Sequence, residues 1–90
     1  DRSKVLGGII RACEKRPITL QQMEKVADDI ENDLYQMMVR EIDSNTIGEK
    51  VMEKLKDLDE VAYVRFASVY KRFNDLNSFM AELNQLIDNK

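Results

Sequence analysis

DEVAYVRFASVYKRF, residues Asp59 to Phe73, places Ala62, Phe66, Val69 and Phe73 at i, i+4, i+7 and i+11. That spacing is the apolar stripe of an amphipathic helix. Tyr63 and Tyr70, seven apart, run beside the stripe, while Arg65, Ser68 and Arg72 hold the opposite side. Asp59 is placed to cap the helix, and Glu60 sits in the first turn where the helix dipole favours an acid. The two phenols form an edge that is either the rim of the core or a shelf for a flat ligand.

The rest of the chain follows the same helical period. Asp1 to Lys15 reads as a first helix, capped by Asp1 or Ser3, with Val5, Leu6, Ile9, Ala12 and Cys13 as its apolar face. Gly7 and Gly8 lie in its interior, each at a cost of ~1 kcal/mol against alanine. Either close helix packing or a ligand approaching the backbone would account for them. Lys4 is a cation near a helix N-terminus, which opposes the dipole unless an anion lies nearby. Arg11, Lys15 and Arg16 suit the C-terminal end of the dipole without any ligand, and Pro17 stops the helix.

Thr19-Leu-Gln-Gln22 matches a capping box, with Ile18 placed to staple Met23. A second helix follows from Leu20 to about Met38 along the stripe Leu20, Met23, Val26, Ala27, Ile30, Leu34, Met37, Met38. Val39-Arg40-Glu41-Ile42 changes to an alternating period and is followed by the turn-forming Asp43-Ser44-Asn45, which predicts a short strand without an obvious partner. A third helix is expected from about Asn45 to Leu58, capped by Ser44 or by the Thr46–Glu49 box, with Ile47, Val51, Leu55 and Leu58 inward. Asn74 to Asn77 breaks the pattern before a fifth helix carrying Phe79, Leu83, Leu86 and Ile87. The expected fold is all-α, a single-domain bundle of about five helices over residues 1–90.

Composition narrows the function. The 90 residues are 43% hydrophobic and 34% charged, a globular composition. Fourteen basic against seventeen acidic residues give a net charge of -3, which argues against direct nucleic-acid binding by these residues. One cysteine and no histidine leave no ligand set for zinc and no internal disulfide. Cys13 lies on the buried stripe as a small core residue. The acidic pairs fit solvated helix faces and caps, and no nucleophile elbow or phosphate-binding glycine loop occurs, so the chain is not expected to be an enzyme. No apolar run approaches membrane-span length, and a cytoplasmic setting is expected.

Two segments, DRSKVLGGIIRACEKRPI and IGEKVMEKLKDLDEVAYVRFASVYKRFNDLNSFMAEL, together with the spacing between them, resemble the ATP-cone of the NrdR family of bacterial transcriptional repressors of ribonucleotide reductase genes. ACEKRPI and LDEVAYVRFASVYKRF are the most specific pieces of the likeness. The resemblance implies a helical bundle capped by a small three-stranded sheet. It also implies regulatory binding of ATP or dATP that changes the oligomeric state, and operator DNA read by an N-terminal zinc ribbon. By this correspondence Asp1 would follow directly on a phosphate-gripping hairpin. The zinc ribbon, the hairpin and an adenine-contacting Glu would then lie outside these residues, and Val39–Ile42 would be the cap's third strand.

For the ligand, the resemblance implies Asp1 and Lys4 near the base or phosphates, Val5, Ser44 and Ile47 lining the adenine pocket, and Tyr70 as an aromatic beside the nucleotide. Gly48 aligns with a histidine of reductase cones that touches nucleotide, a role a glycine cannot take over with a side chain. The implied function is a regulatory ATP/dATP-binding domain of a repressor. The alternative is a helical self-association module that binds no nucleotide in this fragment, because losing the cap would expose apolar surface.

Overall fold

The computed structural model describes residues 2–71 and 76–88. The expectations for Asp1, for Arg72 and Phe73, for the break at Asn74 and Asp75 and for the last two residues fall outside that set. Five helices are described: α1 (Arg2–Ala12), α2 (Leu20–Gln36), α3 (Ser44–Leu58), α4 (Glu60–Lys71) and α5 (Leu76–Asp88). α1 packs on α2, α2 on α3, α3 on α4 and α4 back on α1, so the first four close a ring, with α5 attached more lightly. The all-α bundle expected from the stripes is what forms.

The core is where the four stripes meet. Ile9, Ile30, Val51 and Leu55 are essentially sealed from solvent, and Ala62 and Ala67 let α4 approach them. The inward face of α4 differs from the expected one. Val69 is 77% exposed, whereas Tyr63 is 5% exposed. α4 presents Ala62, Tyr63, Phe66, Ala67 and Tyr70 to the bundle, because two alanines permit a closer approach than a Val69 stripe would. Tyr63 belongs to the core rather than to the phenol rim. Its hydroxyl donates to Glu82 on α5, and Lys71 approaches the other oxygen of that carboxylate at 3.5 Å. Burial, then the Glu82 hydrogen bond and charge, push the Tyr63 phenol well above its ordinary range.

Local chemistry sets the ends. The Thr19 hydroxyl accepts from Gln22 N at 3.1 Å and Gln22 Oε1 accepts from Thr19 N at 2.8 Å, the reciprocal box read from the sequence. α1 ends at Ala12, earlier than the expected Lys15, in a turn with Lys15 at φ 62°. Arg65 closes that end, with Nη1 donating to Ala12 O at 3.2 Å and Glu14 O at 2.6 Å, carbonyls the helix leaves unpaired. α2 ends at Gln36, and Met38 turns left-handed at φ 55°. Met37 and Met38 therefore leave the stripe, at 44% and 91% exposure, and Leu20 on the first turn is exposed too.

Val39–Ile42 is irregular rather than a strand, since no described segment lies alongside to complete a ladder. α3 is capped one residue earlier than expected. Asp43, not Ser44, accepts from Thr46 N at 2.8 Å, a bond that holds the Asp43 carboxyl below its usual range.

Asp59 does two jobs at the start of α4. Its Oδ1 accepts from Ala62 N at 2.9 Å, and both carboxylate oxygens accept from Arg16 Nε at 3.1 and 3.0 Å. Desolvation pushes its pKa up, but the Ala62 N–H, the Arg16 hydrogen bond and charge, and the Val61 N–H together outweigh it, so the group sits below the ordinary carboxylate value. A lowered folded pKa contributes stability that is complete above the unfolded value near ~3.9 and fades as pH falls through the folded one. Asp59→Ala removes a cap worth about 1 kcal/mol and strands Arg16. The variant is expected to melt lower at pH 7, with its gap to the parent narrowing towards pH 3. Melting curves at the two pH values check this, and an unchanged gap would contradict it.

Candidate functional site

Three helices enclose one groove of about 550 Å3. α1 supplies Lys4, Val5, Gly8 and Arg11, one face at i, i+4 and i+7 spacing. α3 supplies Ser44, Asn45, Ile47, Gly48 and Val51, and α4 supplies Phe66 and Tyr70. The Asp43 cap fixes where the first turn of α3 begins and so where Ser44 and Asn45 stand.

Tyr70 forms the wall between α3 and α4. Its hydroxyl donates to Asn45 O at 2.8 Å, with Asn45 Oδ1 at 3.3 Å. Its ring stacks on Phe66, centroids 5.9 Å apart and planes 22° from parallel. It also lies directly on Gly48, so that a Cβ at that position would overlap the ring. Desolvation, then the Glu49 and Asp43 carboxylates, raise the Tyr70 phenol against the opposing charge of Lys71, so it is a neutral donor at physiological pH. A second hollow of about 320 Å3 shares Gly8, Arg11, Phe66 and Tyr70 with this groove and adds Ala12, Arg65 and Val69.

Of the residues singled out from the sequence, Lys4, Val5, Ser44, Ile47 and Tyr70 all line the main groove. Asp1 lies outside the described residues. Sequence reasoning missed Arg11, Asn45, Val51 and Phe66 as parts of the same wall, left Gly8 open between close packing and a ligand, and named Gly48 without giving it a role. The signal for Gly8 and Arg11 was present in their spacing from Lys4, but Arg11 had been accounted for by the helix dipole. Gly48 enters through the space it leaves for Tyr70.

The groove suits a flat, anionic ligand. It combines an aromatic pair, the apolar Val5 and Ile47, hydroxyl and amide groups at Ser44 and Asn45, and two cations that make no ion pair among the described residues. A nucleotide has that chemistry. A metal does not fit: no group of three or more His, Cys, Asp or Glu among the described residues could hold one, and Cys13 is 1% exposed with its thiol pushed up by burial. Among those residues no helix is long and apolar enough to cross a membrane.

The chain is similar to the transcriptional repressor NrdR of Caldicellulosiruptor saccharolyticus, at 59% identity over 90 residues, all of this chain and 59% of the relative. The NrdR of Acetivibrio thermocellus is 59% identical over 90 residues, again all of this chain and 60% of that protein. That of Clostridium acetobutylicum is 54% identical, with the chain covering 60% of it. The chain thus spans about 60% of the length of these relatives, which are named as repressors and not as enzymes. The model of the ATP cone domain matches residues 1–76, from the start of the chain to the first residue of α5. With most of its length matched, the chain belongs to the ATP cone domain family.

Proposed function

We propose that the groove is the nucleotide site of a regulatory domain that binds ATP or dATP. In this reading the whole protein represses ribonucleotide reductase genes. The bound nucleotide sets its self-association, and through that the grip of a zinc ribbon outside these residues on operator DNA. The observation that carries the proposal is the convergence of Lys4, Val5, Ser44, Ile47 and Tyr70 from three helices on one groove. Asp1 completes the set by its place in the sequence. The base lies against Val5, Ile47 and the aromatic pair, while Lys4, one of the two cations on the α1 wall, relieves its conflict with the helix dipole against the ligand's charge.

Calorimetric titration of the full-length protein with ATP and dATP tests this. Lys4→Ala and Tyr70→Ala are each expected to weaken binding at least fivefold, since each removes one polar or aromatic contact of about 1 kcal/mol or more. Parent-like affinity in both variants would sink the assignment. Light scattering on the same samples reads the second reading, a self-association module independent of nucleotide. That reading is favoured by the exposed Leu76, Met80 and Ile87 on α5, which lies almost wholly beyond the matched cone residues. An assembly unchanged by nucleotide supports the module alone. An assembly that changes with nucleotide supports the regulatory reading.

A further inference from the structure

The two glycines of α1 have a different status from Gly48. At Gly48 the fold accounts for the missing side chain, because the Tyr70 ring occupies its place. At Gly8 the fold makes no such demand. A Cβ there would meet only Phe66 Cε2 at 3.6 Å, an ordinary van der Waals contact. At Gly7 it would meet only Arg11 Nη1, at 3.9 Å. No glycine has a positive φ, so alanine suits the backbone as well. A helix-weakening residue thus stands at Gly8, as at Gly7, where neither packing nor backbone needs it, and of the two only Gly8 lines the groove. What Gly8 leaves is bare backbone on the groove wall, one turn after Lys4 and one turn before Arg11.

Arg11 supplies an independent observation. Arg2 is engaged by Asp28, Arg16 by Asp59, and Arg65 by the last carbonyls of α1. Arg11 makes no ion pair or side-chain hydrogen bond among the described residues, yet it borders both hollows beside the Phe66–Tyr70 pair. Seven residues along α1 separate it from Lys4, roughly 10 Å. Val5 lies at the Lys4 end, and Ile47 faces the same groove from the first turn of α3. The groove therefore has a cation towards each end of its α1 wall, Lys4 beside Val5 and Ile47, and Arg11 across Gly8.

We infer that Gly8 and Arg11 hold the anionic part of the ligand. The phosphate chain crosses the bare backbone at Gly8 and ends on Arg11, whose planar fork matches phosphate oxygens and whose charge the helix C-terminus tolerates. This rests on the groove being a nucleotide site, and it adds two residues to that site. A ligand carrying one phosphate falls short of Arg11, and one carrying three reaches it.

The test is calorimetry on the full-length protein with ATP and AMP, at low and high salt, beside melting curves without ligand. Arg11→Ala is expected to weaken ATP binding about tenfold, the size of one charge-assisted contact, and to flatten its salt dependence while leaving AMP nearly unchanged. Arg11→Lys recovers part of the loss. Gly8→Ala is expected to raise the melting temperature by about 4 °C while weakening ATP binding, opposite signs that a merely structural glycine would not give. If Lys4→Ala weakens ATP but Arg11→Ala and Gly8→Ala bind like the parent, this inference is overturned and the groove reading stands. A lower melting temperature for Gly8→Ala makes that glycine structural and overturns its part. If ATP does not bind, or Lys4→Ala and Tyr70→Ala are both without effect, the groove reading fails and this inference with it.

Discussion

Gly48→Ala is expected to unseat Tyr70. A methyl group on α3 would overlap the ring, so either the ring leaves the groove wall or the two helices move apart. The first outcome breaks the hydroxyl's bond to Asn45 O and the stack on Phe66, and the second loosens the α3–α4 contact. Overpacking of this kind costs about 1–3 kcal/mol, against which alanine's better helix propensity returns up to about 1 kcal/mol. The variant should melt lower, lose near-ultraviolet tyrosine ellipticity and bind nucleotide at least tenfold more weakly, since the wall of the site is displaced. The comparison with Gly8→Ala is the sharp part. The same chemical change at two helical glycines is expected to move stability in opposite directions, because one position is filled by a ring and the other faces open groove. If Gly48→Ala raises the melting temperature instead, the ring does not rest where the structure puts it.

Leu55→Ala carries the largest expected loss of stability. Leu55 is 0% exposed on α3, in the cluster that also holds Ile9 and Ile30. Deleting such a side chain removes its transfer free energy and leaves a cavity, about 2–5 kcal/mol in all. A domain of this size has about 5–15 kcal/mol in total, so the variant sits close to unfolding at 37 °C. Urea denaturation should show a lower midpoint with an unchanged slope. A loss under about 1 kcal/mol would mean that the four helices do not close around Leu55.

The elements whose signals are local were legible in the sequence. The Thr19–Gln22 box needs only four residues, and the structure forms it as read. Asp59 as the cap of α4 is equally local. Four expectations failed, two because the deciding partner is distant or absent from the described residues and two because neighbouring residues compete for a helix end. Val69 was placed inward because it is large and apolar, but Ala67 lets the helices approach and Tyr63, its hydroxyl paired with Glu82, faces the core instead. Met37 and Met38 continue an apolar run past a helix end that φ at Met38 sets. Val39–Ile42 has a strand's alternation but no ladder partner among the described residues. Ser44 lost the cap of α3 to Asp43, whose carboxylate is the stronger acceptor.

For the candidate site, Lys4, Val5, Ser44, Ile47 and Tyr70 meet in one groove. Arg11 escaped notice, and what Gly8 and Gly48 do was left open, for physical reasons. A cation near a helix C-terminus already has an explanation, and a glycine's contribution is the space it leaves, which only a neighbour's coordinates reveal. The Tyr63 phenol shows the converse. Adjacent to the stripe, it looked available to a ligand, yet it is sealed against Glu82 and unavailable to one.

The pairing of α1 with α4 is fastened at one end. Arg65 holds the last carbonyls of α1, and Arg16 holds Asp59 at the start of α4, so both ties lie where α1 finishes and α4 begins. Tyr70 stands ten residues beyond Glu60, roughly 15 Å along the helix. The far end of α4 has its own support, because the Tyr70 hydroxyl donates to Asn45 O on α3 and its ring lies on Gly48. α4 is thus a beam on two supports, and mutations at Arg16, Asp59 or Arg65 would free it at one of them and change the width of the groove with no lining residue altered.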